Sequence, residues 1–362
     1  MKHPYVEHTV RVDASSPYDI LIGRNLLPLL GEAAREILPV GKAVLVTDDV
    51  VNALYGDAAE ESLTRAGYTV FRFVFKNGEA SKTAETYLRL LNFCAESGLT
   101  RSDALFALGG GVVGDLTGFA AATFLRGIRF VQIPTTLLAA VDSSVGGKTG
   151  IDLPSGKNLV GAFWQPALVL CDYTLLDSLP EQIFADGCAE VIKYAVIRDE
   201  ALFLTLRDRP IRDDLGGVIA RCICHKRDIV EEDERDTGTR RLLNLGHTVG
   251  HAVEAASHFG ISHGSAVAIG MNIVASAAKR RGLMDEGALS ALRALLLSYG
   301  LPITCSFTPE ELFAVAASDK KRAGAKITLV LPYGIGDTRL YPMPVSELLS
   351  LIADGLSEMH GG

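Results

Sequence analysis

Four polar residues recur at offsets of 0, 4, 7 and 11 in the run RRLLNLGHTVGHAVEAASH: Arg240, Asn244, His247 and His251. At roughly 100° per residue these offsets fall within a sector of about 60°, so one continuous helix would align all four. Leu242, Leu245, Val249 and Ala252 lie mostly on other faces, which makes this a buried helix. Unpartnered buried polar groups cost roughly 1–3 kcal/mol each. A metal ion and an anionic ligand would supply partners; a solvated face with incidental histidines is the plain alternative. Glu190 and Lys193, three apart in DGCAEVIKYAVIRD, share a face among apolar neighbours, and His263 opens the apolar run HGSAVAIGM. Glu190, His247, His251 and His263 are therefore four candidate ligands. A catalytic zinc takes three protein ligands and keeps one position open, and spacing leaves the choice of three undecided.

The cations outnumber what one metal site needs. Lys148, Lys193, Lys226, Arg240, Lys320 and Lys321, converging on one cleft, would hold a substrate bearing a phosphate and a carboxylate. Arg240 with Asn244 would grip the carboxylate through forked hydrogen bonds, and Arg126 in FLRGIRF is a further phosphate candidate.

A second constellation lies upstream. In ALFALGGGVVGDLTGFAA, Gly109, Gly111 and Gly114 have GxGxxG spacing between a strand candidate and a helix candidate. Glycines there let backbone approach a pyrophosphate at a helix start, although glycine-rich turns are common in α/β folds. Asp48 ends the strand KAVLVTD, where its carboxylate would either accept from a ribose hydroxyl or cap the next helix. The loop KNGEASK (Asn77, Gly78, Glu79, Lys82) is either part of this site or a solvated turn. Thr135 and Thr136 follow the strand FVQIP, and Asp142, Lys148, Lys157 and Asn158 lie in a glycine- and serine-rich stretch suited to close backbone approach. Together these favour a dinucleotide site.

The elements that must carry these groups change character along the chain. Up to about residue 180, short runs such as YDILIG, KAVLVTD, YTVFRFVF, ALFALGG, FVQIPTT and ALVLCD alternate with helical periodicity. That order predicts an α/β, doubly wound, Rossmann-like domain over residues 1–180. Beyond Leu179-Pro180 strand signals nearly vanish, so residues 181–362 are expected to form a mainly α-helical domain with one late strand, AKITLVLP.

Composition bounds the function. The 362 residues are 48% hydrophobic and 22% charged, ordinary for a globular protein of two domains. A net charge of -8 argues against a nucleic-acid surface. The N-terminus has no signal-peptide core, and no apolar run reaches membrane-spanning length. Six scattered cysteines form no CxxC, which suits a reducing cytoplasm.

Taken together, NGEASK, GGGVVGDLTGF, IPTTLLAAVDSSVGGKTGID, GKNLVGAF, GCAEVIKYAVI, DERDTGTRRLLNLGHTVGHAVE, HGSAVAIGM and DKK resemble the 3-dehydroquinate synthase family of the sugar-phosphate cyclase superfamily. The resemblance covers almost the whole chain. It implies an NAD-dependent, zinc- or cobalt-dependent lyase of the shikimate pathway, cytoplasmic and homodimeric. Its substrate would be 3-deoxy-D-arabino-heptulosonate 7-phosphate and its products 3-dehydroquinate and phosphate. The implied course is transient oxidation by NAD, phosphate elimination, re-reduction, and aldol closure of the carbocycle.

Position by position, the resemblance implies Glu190, His247 and His263 as metal ligands, with His251 turned to substrate phosphate and proton movement. NAD would be held by Asp48, the loop Asn77, Gly78, Glu79 and Lys82, by Gly110, Gly111, Val112, Asp115, Thr135, Thr136, Lys148 and Lys157, and by Leu175, Leu176, Asp177 and Ser178. Asp142, Lys148, Asn158, Lys193, Lys226, Arg240, Asn244 and one of Lys320 and Lys321 would contact substrate. Arg126 would reach a neighbouring subunit's site. Asp236 stands where some family members carry glutamate, which moves a proton-relay carboxylate by about one methylene, a gap that a water could bridge. A sibling cyclase acting on a phosphosugar without a carboxylate is one rival reading, and Arg240 with Asn244 argues against it. A metal-dependent alcohol or glycerol dehydrogenase, which would consume NAD stoichiometrically, is another.

Overall fold

A computed structural model describes residues 5–318 and 326–360 and divides the chain into two compact units. The first comprises residues through Leu179 together with Leu215–Arg235; the second comprises Pro180–Asp214 and the chain from Asp236 onward.

The apolar runs at the centre of the first unit become strands because their side chains are buried on both sheet faces. The sheet holds β1 (Val6–Val12), β2 (Tyr18–Gly23), β3 (Lys42–Asp48), β4 (Thr69–Phe75), β5 (Ala104–Gly109), β6 (Arg129–Pro134) and β9 (Leu168–Asp172). Their order is β1-β2-β9-β6-β5-β3-β4. Only β1 runs antiparallel, with Val10 opposite Ile20; the pairings of β2 with β9 and of β9, β6, β5, β3 and β4 with one another are parallel. Leu45 and Phe106 pack on one face with Leu30 and Leu63, while Val44 and Leu105 pack on the other with Leu90 and Phe119. The carboxyl ends of β3, β5 and β6 consequently deliver Asp48, Gly109 and Pro134 to one end of the sheet.

The stretch expected as a glycine-rich loop is instead an antiparallel hairpin, β7 (Lys148–Leu153) and β8 (Gly156–Phe163), with Ile151 opposite Val160. Its glycines serve close packing between the two strands: a Cβ on Gly150 would lie 2.7 Å from the Val160 carbonyl oxygen and one on Gly161 2.1 Å from that of Thr149. The helix Leu215–Glu232 packs along β1 and β2, so a single division at residue 180 does not describe the first unit. A Cβ on its Gly216 would stand 2.8 Å from the Tyr173 ring, which explains the small residue at that crossing.

The second unit is built around the helix His263–Arg280, buried continuously from Gly264 to Ala278. A helix apolar on every side belongs in a core. Around it lie Glu181–Arg198, His247–Ala256, Glu286–Ser298 and Leu348–His360. The late strand expected at AKITLVLP is β10 (Lys326–Gly334), but it pairs with an unanticipated partner, β11 (Asp337–Pro344).

The continuous helix expected from Arg240 to His251 is also corrected. A 3-10 helix spans Thr239–Asn244, the chain turns at Gly246 with φ +77°, and an α-helix begins only at His247. A Cβ on Gly246 would lie 2.8 Å from both Met271 N and Val267 O, so only glycine allows this turn against the central helix. The four-residue stripe is thus two short pairs.

Candidate functional site

In the first unit, the helix Gly111–Thr123 starts directly after β5 with no side-chain cap at Gly110. Its first N–H groups are those an anion would satisfy. A Cβ on Gly110 would stand 3.1 Å from Thr136 Cγ2, and one on Gly111 3.2 Å from Ser143 Oγ, so both glycines keep this start open. The Thr135 hydroxyl at the end of β6 is buried and has no hydrogen-bond partner among the described residues. An uncapped helix start beside an orphaned hydroxyl fits a phosphate-bearing dinucleotide. Asp48 does act as a helix cap, its Oδ1 accepting from Val50 N at 3.0 Å and Val51 N at 2.9 Å. A ribose contact would fall to its second oxygen.

Lys82, 4% exposed, donates to Asp115 Oδ2 at 2.6 Å and to Asn158 Oδ1 at 2.5 Å. Burial works against its charge, but Asp115 and Glu79 outweigh that and hold the ammonium protonated. Glu79 Oε1 lies 4.0 Å from Lys82 Nζ and 3.9 Å from Lys157 Nζ. Lys82, Asp115 and Lys157, expected on the dinucleotide, therefore share one cluster with Asn158, expected on the substrate. Asn77 donates its N–H to Asp49 Oδ1 at 2.7 Å, and Gly78 adopts φ +107° in the same loop. Leu175, Leu176, Asp177 and Ser178 form a 3-10 turn tied to Tyr55, which donates to Ser178 Oγ at 2.7 Å. Val112 is half-buried in the first turn after Gly110.

Lys226 arrives on the helix Leu215–Glu232, is 6% exposed, and forms an ion pair with Asp142 while donating to its carbonyl at 2.7 Å. Lys148 opens β7 and is exposed. Arg126 is also exposed, with Leu125 at φ +50° and Arg126 at φ +68°. Two consecutive non-glycine residues in the left-handed region form a strained projection, a conformation that concentrates at functional sites.

In the second unit, the helix Glu181–Arg198 carries Glu190, fully buried, and Lys193, 1% exposed, as an ion pair. His247 Nε2 lies 3.5 Å and His263 Nε2 3.4 Å from Glu190 Oε1. Ligands at about 2.0–2.1 Å in a tetrahedral shell are separated by roughly 3.3–3.4 Å, so this triangle fits a divalent ion. The outer ring nitrogens agree. His247 Nδ1 is 3.1 Å from the Leu245 carbonyl and His263 Nδ1 is 3.3 Å from Glu254 Oε2, which leaves both Nε2 atoms facing Glu190. Burial pushes His247 down to about 3, keeping it the neutral imidazole that a metal requires. Burial would lower His263 too, but Glu190 and Glu254 outweigh it and hold it at about 10. A metal at Nε2 must displace that proton.

His251 is exposed one turn beyond His247, its ring centroid 5.4 Å from that of His247 and 6.0 Å from that of His263. Arg240 is 2% exposed in the 3-10 turn, with Asn244 at its end. Asp236 is half-buried with φ +59°. Lys320 and Lys321 lie outside the described residues. The sequence reading missed Glu254 and Asp186. Glu254 is seven residues after His247 on the same helix; Asp186 is one turn before Glu190 and accepts from Ser262 Oγ and Ser265 N. An acid inside an apolar helical run was the available signal.

A family model described as 3-dehydroquinate synthase N-terminal matches residues 72–186, and one described as 3-dehydroquinate synthase C-terminal matches residues 187–322. The 3-dehydroquinate synthase of Streptococcus suis (strain 05ZYH33) is 42% identical over 351 residues, 93% of this chain and 97% of that protein. Among solved structures, 2-deoxy-scyllo-inosose synthase complexed with carbaglucose-6-phosphate, NAD+ and Co2+ matches with a TM-score of 0.86 and 29% identity, covering 96% of this chain and 100% of that one. The 2-epi-5-epi-valiolone synthase from Streptomyces hygroscopicus subsp. jinggangensis 5008, with NAD+ and Zn2+ bound, matches with a TM-score of 0.86 and 25% identity over 99% and 100%.

Proposed function

The chain belongs to the 3-dehydroquinate synthase family, and from that premise we infer that it converts 3-deoxy-D-arabino-heptulosonate 7-phosphate to 3-dehydroquinate and phosphate. It is a carbon–oxygen lyase that uses NAD and a divalent metal, zinc or cobalt. The observation that carries this reading is 42% identity to a synthase of that name over nearly all of both chains, against 29% and 25% for the sibling cyclases.

The bound ion supplies Lewis-acid polarisation of substrate oxygens, and NAD supplies a hydride acceptor that is regenerated within the cycle. Glu190, His247 and His263 hold the ion. The glycine-rich helix start with Thr135, Thr136 and Asp48 holds NAD, and Glu79, Lys82, Asp115, Lys157 and the Leu175–Ser178 turn complete its enclosure. Arg240 and Asn244 grip the substrate carboxylate. Lys148, Lys193 and Lys226 spread the negative charge that develops as phosphate departs. His251 and Asp236 move protons, and Asp142 holds Lys226 in place through their ion pair. Asn158 serves substrate from the hairpin, and Lys320 or Lys321 adds a phosphate contact. Six free cysteines, four of them buried, support a reducing cytoplasmic setting, and no described helix is long and apolar enough to cross a membrane.

The direct test is phosphate release from the heptulosonate phosphate with NAD and zinc, with and without chelator, while 340 nm absorbance is followed. Steady phosphate production that the chelator abolishes, without net NADH, is the expected result. Accumulating NADH would instead identify a dehydrogenase.

Arg126 makes a second test possible. The strained, exposed Leu125-Arg126 pair supports its reach into a neighbouring copy's site in a homodimer. Mixing Arg126→Ala with His247→Ala subunits should then restore about a quarter of wild-type activity, because half the dimers carry one complete site of two. No recovery in dimers shown to have exchanged would leave Arg126 acting within its own subunit.

A further inference from the structure

We propose that Glu254 is the positioning residue that fixes the His263 imidazole for metal binding; this rests on Glu190, His247 and His263 being the metal centre. The helix His247–Ala256 places His247, His251 and Glu254 at offsets of 0, 4 and 7, on one face. Glu254 is 3% exposed, and a carboxylate buried so deeply needs a hydrogen-bonded partner. Its Oε2 lies 3.3 Å from His263 Nδ1, while Glu190 Oε1 lies 3.4 Å from His263 Nε2. The ring is thus held between two acids, one at each nitrogen. Donation of Nδ1–H to Glu254 fixes the tautomer, turns the Nε2 lone pair toward Glu190 and raises its basicity.

The surroundings of His263 show why such a device is needed. The chain on either side of it is pinned: Asp186 Oδ1 accepts from Ser262 Oγ at 2.6 Å and Ser265 N at 3.1 Å. A Cβ on the intervening Gly264 would meet the Asp186 carbonyl oxygen at 2.2 Å, so this helix start is pressed against the helix that carries Glu190. The ring itself is not pinned by packing, because 34% of the His263 side chain is exposed. Glu254 supplies the missing constraint. It also ties the helix that bears His247 to the one that bears His263. His251, Glu254 and His263 could instead gather a second ion. The direct pairing of Nδ1 with Glu254 favours the orienting role.

Zinc affinity of Glu254→Gln and Glu254→Ala, measured by competition with a chromophoric chelator, tests the assignment. The alanine variant should bind zinc about 10- to 100-fold more weakly. The glutamine variant, isosteric and still an acceptor, should lose less, and turnover of both should recover at saturating zinc. Should the alanine variant fail to fold, the glutamine variant decides: zinc affinity equal to wild type overturns the proposal. Two ions per wild-type chain falling to one in Glu254→Gln would also overturn it, making Glu254 a ligand. Glu190→Gln separates the premise from the inference: undiminished zinc affinity in that variant would remove the metal centre itself.

Discussion

His247→Ala is expected to leave the purified protein without its divalent ion and to slow phosphate release by about a thousandfold. A Lewis acid contributes several kcal/mol to stabilising charge on substrate oxygens, and each 1.36 kcal/mol is a factor of ten in rate. Loss of roughly 4 kcal/mol gives the stated factor. The imidazole stands 3.5 Å from Glu190 Oε1 on a helix otherwise secured by Val249, Ala252 and Val253, so the fold should survive the truncation. Elemental analysis after dialysis, alongside single-turnover phosphate release, reads both consequences. Full metal content with full activity would remove His247 from the centre.

Arg240→Ala tests a different part of the machinery. A buried guanidinium that pairs bidentately with a carboxylate is among the strongest polar contacts available, and losing it should lower kcat/KM by about 10²- to 10³-fold. The loss should appear chiefly as a raised KM, with metal content unchanged, because Arg240 lies on the 3-10 turn before the Gly246 break and His247 lies after it. Arg240→Lys should recover little, since an ammonium cannot reproduce the planar fork. Unchanged kinetics for the heptulosonate substrate would refute the clamp and favour a sibling cyclase whose substrate carries no carboxylate.

What could be read from the residues beforehand follows the range of each signal. The parallel strands were legible because β5 and β9 are buried along their whole length and β3 from Ala43 onward, and continuous apolar runs bounded by turns betray that burial. The hairpin of β7 and β8 was not, since its glycines Gly150 and Gly161 let the two strands approach each other closely, which no periodicity records, and β8 lacks a clean alternation. The helical stripe failed at Gly246, because periodicity registers which faces are apolar and not where φ changes sign. In the site, types and spacing identified the candidate acids and imidazoles. Family resemblance, not geometry, singled out Glu190, His247 and His263 among four. Glu254 escaped notice because its partner lies across a loop, nine positions away, and Asn158 joined Lys82 through a fold-back of 76 positions.

The helix Leu215–Glu232 has a consequence for how this polypeptide is assembled. It belongs with the first unit, although the segments on either side of it in the chain belong to the second. Lys226, which secures Asp142, is therefore translated well after the sheet it completes. No single scissile point yields two self-sufficient fragments: a nascent chain halted at residue 180 lacks a layer of its own core, and the remainder carries an orphaned amphipathic segment. Gene fusions or split reporters built on this scaffold must respect that interleaving.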